Sequence, residues 1–97
     1  MLTREDVLQF LRENKERFAE QYGVTKIGLF GSFARDEATE ESDVDVCVEM
    51  PEPTYEGICR LREEIMEKSM RKVDIVQVRR GMDSLLRRCI KKDAIYV

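Results

Sequence analysis

Two aspartates stand at the head of the run Asp43-Val44-Asp45-Val46-Cys47-Val48, where acid and valine alternate with the period of a β-strand. On such a strand both carboxylates point to one face, with their Cα atoms roughly 6 to 7 Å apart. Magnesium takes hard oxygen ligands and keeps several waters, so one or two carboxylates plus substrate phosphates complete its shell. Val44, Val46 and Val48 would face the core and pin the register, because a slip of one residue would drive the aspartates inward. Taken alone, the triplet favours the reading of an exposed edge strand guarded by charge. Asp74 shifts the balance. It interrupts the apolar run Val73-Asp74-Ile75-Val76, where a carboxylate pays for desolvation unless it meets water, a partner or a metal. If the two strands are neighbours, three carboxylates meet, and like charges that close call for a dication. Asp43, Asp45 and Asp74 are therefore the candidate catalytic and metal-binding residues.

Gly31-Ser32 follows the β-prone run Thr25-Lys26-Ile27-Gly28-Leu29-Phe30 and precedes Phe33-Ala34-Arg35-Asp36-Glu37-Ala38, which reads as a brief helix. A tight turn into a helix start presents unpaired N–H groups to an anion, so Gly31 and Ser32 are candidates for holding phosphate. The competing reading is an ordinary turn glycine and an ordinary N-cap serine. Arg35 could reach a phosphate or simply face solvent.

The elements that must position these residues alternate along the chain. Thr3 can cap a helix whose Val7, Leu8, Leu11, Phe18 and Tyr22 recur at helical spacing, with Asp6 three residues on, where a full capping box has glutamate or glutamine, and Gly23 as its stop. The polar loop Thr39–Ser42 leads into the two-aspartate strand, which Pro51 and Pro53 close. Thr54 to Met70 reads as a helix with Ile58, Leu61 and Ile65 on one face, and Lys72 to Val78 as a strand. Asp83 caps a short helix carrying Leu85, Leu86, Cys89 and Ile90, and Ala94-Ile95-Tyr96-Val97 is a candidate edge strand. This alternation predicts an α/β (α+β) fold: a sheet with helices packed on one face and the other face partly open to solvent and metal.

The chain has 97 residues, the size of one compact domain spanning 1–97, with 42% hydrophobic and 38% charged residues. A formal net charge of −3 gives no global attraction to nucleic acid or to anionic membranes, so neither is implied as a partner. The basic residues Arg79, Arg80, Arg87, Arg88, Lys91 and Lys92 read as helix-end charges and a solvated face, since nothing aromatic interleaves with them. No apolar run is long enough to span a membrane and the N-terminus is charged, which points to the cytoplasm. Cys47, Cys59 and Cys89 are odd in number and the chain has no histidine, so they form neither a disulfide framework nor a zinc set. All three are expected to be buried.

Gly31-Ser32-Phe33-Ala34-Arg35, then Ser42-Asp43-Val44-Asp45, then Asp74 in a later strand, resembles the signature of the polymerase-β-type nucleotidyltransferase superfamily, and more narrowly its minimal nucleotidyltransferases (the MNT family). The resemblance covers nearly the whole chain. It implies the nucleotidyltransferase fold, a mixed β-sheet with helices behind it. It also implies a site in which two Mg2+ ions bridge a nucleoside triphosphate, ATP by preference, to the three aspartates. By the same likeness, Asp43 and Asp45 bind both ions, Asp74 completes the ion that activates the acceptor hydroxyl, and Gly31 and Ser32 hold the outer phosphates. In-line attack at the α-phosphate would release pyrophosphate. One departure stands out: Asp36 occupies the position after the arginine where the family often has glycine.

These 97 residues hold no extra domain of the kind larger relatives use to grip their acceptor. Small members resemble the antitoxin half of toxin–antitoxin pairs, whose other half is a HEPN toxin that the antitoxin can modify by adenylylation. The leading expectation is thus an enzyme that transfers AMP from ATP to a hydroxyl, with a HEPN-type toxin as partner. The alternatives are a non-catalytic antitoxin acting by occlusion, and a small-molecule nucleotidyltransferase whose missing pocket wall a homo-oligomer could supply.

Overall fold

The computed structural model describes residues 2–97. In chain order the elements are α1 (Arg4–Tyr22), β1 (Lys26–Phe30), α2 (Gly31–Ala34), β2 (Val44–Glu49), α3 (Tyr55–Ser69), β3 (Val73–Gln77), α4 (Ser84–Asp93) and β4 (Ile95–Tyr96). The strands form one mixed sheet in the order β3-β2-β1-β4. β1 runs antiparallel to both β2 and β4, whereas β2 and β3 are parallel. A parallel pair cannot be joined by a tight turn, and α3 makes the crossover between them.

Local chemistry sets the helix ends. Thr3 and Asp6 form a reciprocal capping box at the start of α1, and Gly23 ends that helix in the left-handed region at φ 74°. Asp83 Oδ1 accepts from the Leu86 amide at 3.0 Å and starts α4. At the end of α3 the left-handed position is filled by Met70, at φ 56°.

Alternation along β2 divides the molecule into two faces. Val44, Val46 and Val48 are fully buried with Leu8, Leu11 and Phe18 of α1 and Leu61 and Ile65 of α3. Asp45 and Cys47 point the other way. That second face is partly open, as expected, and α4 packs over the rest of it while α1 and α3 lie on the other side. Phe30, Cys47 and Ile90 form a separate cluster there, with Val76, Val78 and Leu86 packed against it. The reason is that the second face carries apolar residues away from the aspartates, and α4 covers them with Ile90 and Leu86. Covering with one narrow face of a helix leaves the opposite face outward, which is why Leu85 is exposed and Cys89 with it. The cysteines thus differ from the expectation of uniform burial: Cys47 is buried, Cys59 half-buried and Cys89 exposed. No helix among the described residues is long and apolar enough to cross a membrane.

A polar contact fastens α1 to α3. Arg17 donates to Glu64 Oε1 at 2.6 Å, and the Tyr22 hydroxyl donates to Glu64 Oε2. The Arg17 hydrogen bond, chiefly, holds the Glu64 carboxyl below its ordinary range, against the opposing effect of burial. A carboxyl depressed on folding contributes stability that is complete above its unfolded pKa and drains away as pH falls through the folded value. Glu64→Gln is therefore expected to lower the unfolding midpoint relative to the parent above about pH 5, with the difference vanishing toward pH 3. Thermal unfolding across that range checks it, and a pH-independent difference contradicts the linkage.

Candidate active site

The β2–β3 register sets Asp45 opposite Asp74, and the β1–β2 register sets Phe30 opposite Asp45. Directly paired residues share a face, so both carboxylates emerge on the α4 side of the sheet, at the end where β1 finishes and β2 and β3 begin. Asp45 is half-buried and Asp74 exposed. Asp43 lies one residue before β2 rather than within it. Parallel pairing with β3 begins only at Val44, whose amide donates to the Lys72 carbonyl at 2.9 Å, and the chain before it leaves the sheet.

Burial pushes the Asp45 carboxyl up, and the charges of Asp74 and then Asp43 add to the rise, while Arg35 opposes it. Both other acids therefore act on Asp45. They do not close into a finished ligand set: among the described residues, no three acidic, cysteine or histidine side chains are grouped tightly enough to hold one ion. Adjacent strands keep Asp45 and Asp74 about 4.7–4.9 Å apart along the ladder, and like charges do not draw together. The donor chemistry still fits a hard divalent cation, since magnesium needs only one or two protein carboxylates and the raised Asp45 is a carboxylate short of positive charge.

Gly31 follows β1 directly, at φ 74°. A Cβ at this position would collide with Asp45 Oδ2 and stand 3.1 Å from its Cγ. The turn therefore lies flush against the Asp45 carboxylate, and only glycine supplies both the left-handed backbone and the clearance. Phe30 is the N-cap of α2 and brings no side-chain hydrogen bond, so the first N–H groups of this turn have no side-chain cap. Ser32 is the second residue of α2, not its cap, and is half-buried. The helix is shorter than expected because Arg35 and Asp36 end it. Asp36 has φ 61°. A backbone in this region favours glycine, and aspartate meets the demand better than most other residues.

Arg35 does not stand free. Its Nη1 lies 2.6 Å from Asp93 Oδ2 and its Nε 3.6 Å from Glu37 Oε2. Asp93, almost buried at the end of α4, is not a candidate from sequence, where it reads only as an acid after two lysines. Spatial proximity of α2 and α4 gives it a role that no spacing rule could announce. A concavity of about 450 Å3 between α1 and α3 is lined by Val7, Phe10 and Ile65 and lies away from the carboxylates.

Comparison with known proteins places these features in context. Residues 9–97 match the family described as the nucleotidyltransferase domain. A candidate protein adenylyltransferase of Methanocaldococcus jannaschii is 37% identical, over the whole of both chains. A solved structure described as a candidate minimal nucleotidyltransferase is 33% identical, with a TM-score of 0.77, covering 97% of this chain and 95% of that one. A complex of tri-AMPylated Shewanella oneidensis HEPN toxin with an MNT antitoxin contains a chain of the same fold. That chain has a TM-score of 0.60 at 18% identity, with 96% of this chain and 66% of that one covered.

Proposed function

The chain belongs to the nucleotidyltransferase domain family, and from that premise we propose that it transfers AMP from ATP to a hydroxyl on a partner protein, with a HEPN-type toxin as that partner. The observation that carries this reading is the register that sets Asp45 opposite Asp74 beside the flush Gly31 turn. Acids and an anion-ready helix start on one open face suit a triphosphate better than any neutral ligand.

In the proposed reaction the acceptor oxygen forms a bond to the α-phosphorus, the bond from that phosphorus to the bridging oxygen breaks, and pyrophosphate leaves. Asp43, Asp45 and Asp74 would hold Mg2+, which when bound supplies charge stabilisation to the attacking and leaving oxygens. The Gly31 and Ser32 amides would orient the outer phosphates. Asp74, the most exposed of the three acids, faces the side open to an acceptor. The acids lie outside the concavity between α1 and α3, and an open site of this kind leaves a macromolecular acceptor to supply the missing wall.

The test uses ATP labelled in turn at the α- and γ-phosphate, incubated with magnesium, the protein and a HEPN-type partner. Label is expected on the partner from the α position only. Transfer from the γ position instead would make the protein a kinase and overturn the reading, as would no transfer at all.

The Asp93 contact bears on the same site. Asp93→Asn is expected to free the Arg35 charge and tighten binding of a fluorescent ATP analogue several-fold. An unchanged affinity with a lowered unfolding midpoint would give Arg35 a purely structural role, tying α2 to α4.

A further inference from the structure

Arg71 occupies the turn between α3 and β3, two residues before the strand that carries Asp74. Its Nη1 donates to the carbonyls of Thr39 at 2.8 Å and Ser42 at 2.9 Å, and its guanidinium lies over the ring of Phe33, 5.4 Å from the centroid. Thr39–Ser42 is the loop that delivers Asp43. Phe33 is fully buried in α2, two residues after Gly31. One side chain therefore touches the loop before Asp43 and the helix after Gly31, from the foot of the Asp74 strand.

The backbone around it is arranged at a cost. Met70 holds φ 56° and is 84% exposed, so burial does not compensate that conformation. A bulky residue in the left-handed region is strained, and it persists where its surroundings over-determine the turn. Here the turn brings Arg71 back under the loop. The loop has few other anchors to the body of the protein: its remaining hydrogen bonds are internal, from the Thr39 amide to Ser42 Oγ at 2.8 Å, from the Glu41 amide to Thr39 Oγ1 at 3.3 Å and from the Ser42 amide to the Thr39 carbonyl at 3.1 Å. The acid it presents is the one the sheet does not hold in register, and it carries the same charge as the neighbouring Asp45.

We propose that Arg71 is a positioning residue that holds Asp43 at the site beside Asp45 and Asp74. It acts through the Thr39–Ser42 carbonyls and touches no substrate. Arginine suits the task because Nη1 of its planar guanidinium donates to both carbonyls while the plane stacks on an aromatic ring. The proposal rests on the nucleotidyltransferase reading for what Asp43 does, but not for what holds it.

The experiment is therefore run first on the metal-free protein. In Arg71→Ala, amide hydrogen exchange at residues 39–43 is expected to quicken at least about tenfold, while the α1 and β1 amides keep their rates. Mn2+ affinity, read from the electron paramagnetic resonance signal of the free ion, is expected to fall by about 10–100-fold, the usual cost of losing a residue that orients a ligand. Arg71→Lys should exchange at an intermediate rate, and it serves as the readout if the alanine variant does not fold. Parental exchange rates at 39–43 in the folded variant overturn the proposal, as does unchanged Mn2+ affinity. Failure of the nucleotidyltransferase reading would appear separately, as absent label transfer by the parent.

Discussion

Asp45→Asn is expected to lower AMP transfer by about 10²–10³-fold or more, the range seen when one electrostatic stabiliser of a transition state is removed. The fold should survive and, with divalent cations chelated, become more stable at neutral pH. The Asp45 carboxyl is raised by burial and by its acidic neighbours. A group raised on folding contributes stability that is complete below its unfolded pKa and lost as pH rises through the folded one, so ionised Asp45 is a cost at pH 7. The asparagine variant should therefore unfold at a higher temperature than the parent at pH 7, with the gain disappearing below about pH 4. Loss of transfer together with this gain separates a working carboxylate from a structural one. Retained transfer would remove Asp45 from the chemistry. The same variant addresses occlusion: a transfer-dead protein that still neutralises its partner would make binding, not AMP transfer, the neutralising event.

Gly31→Ala should damage both stability and activity. The left-handed backbone alone costs an alanine about 1–2 kcal/mol. The added methyl also strikes Asp45, so the carboxylate must move. Displacement of a catalytic group by about 1 Å can cost about 10²-fold in rate, and a loss in kcat/KM of at least that size is expected. Gly81→Ala is the control, because Gly81 has φ 82° but a methyl there would meet nothing within 4 Å. It should show the backbone cost in urea unfolding and leave transfer intact. Equal behaviour of the two variants would mean that the Gly31–Asp45 contact has no part in catalysis.

Much of the architecture is legible in the sequence because the relevant forces are local. The capping of α1 by Thr3 and Asp6, its stop at Gly23 and the start of α4 at Asp83 all follow from hydrogen bonds within a few residues. The valines of β2 are buried as their period demands. The departures share a different cause. Strand period carries Asp43 into β2, but where a strand starts depends on its neighbour, and pairing with β3 begins at Val44. Cys89 is exposed because α4 packs only Ile90 and, in part, Leu86 of its apolar residues onto the sheet face beneath it. Arg35 reads as free in the sequence because its partner Asp93 is 58 residues away along the chain.

By themselves, the residues determined which chemical groups the protein has and the face of each element they occupy, because period and capping act over a turn or a strand. The register that sets Asp45 against Asp74, the clearance that only Gly31 allows, the pairing of Arg35 with Asp93 and the reach of Arg71 to the Asp43 loop were decided by tertiary structure. Each of these joins segments whose separation in sequence carries no record of their distance in space, and packing of the two sheet faces is what brings them together.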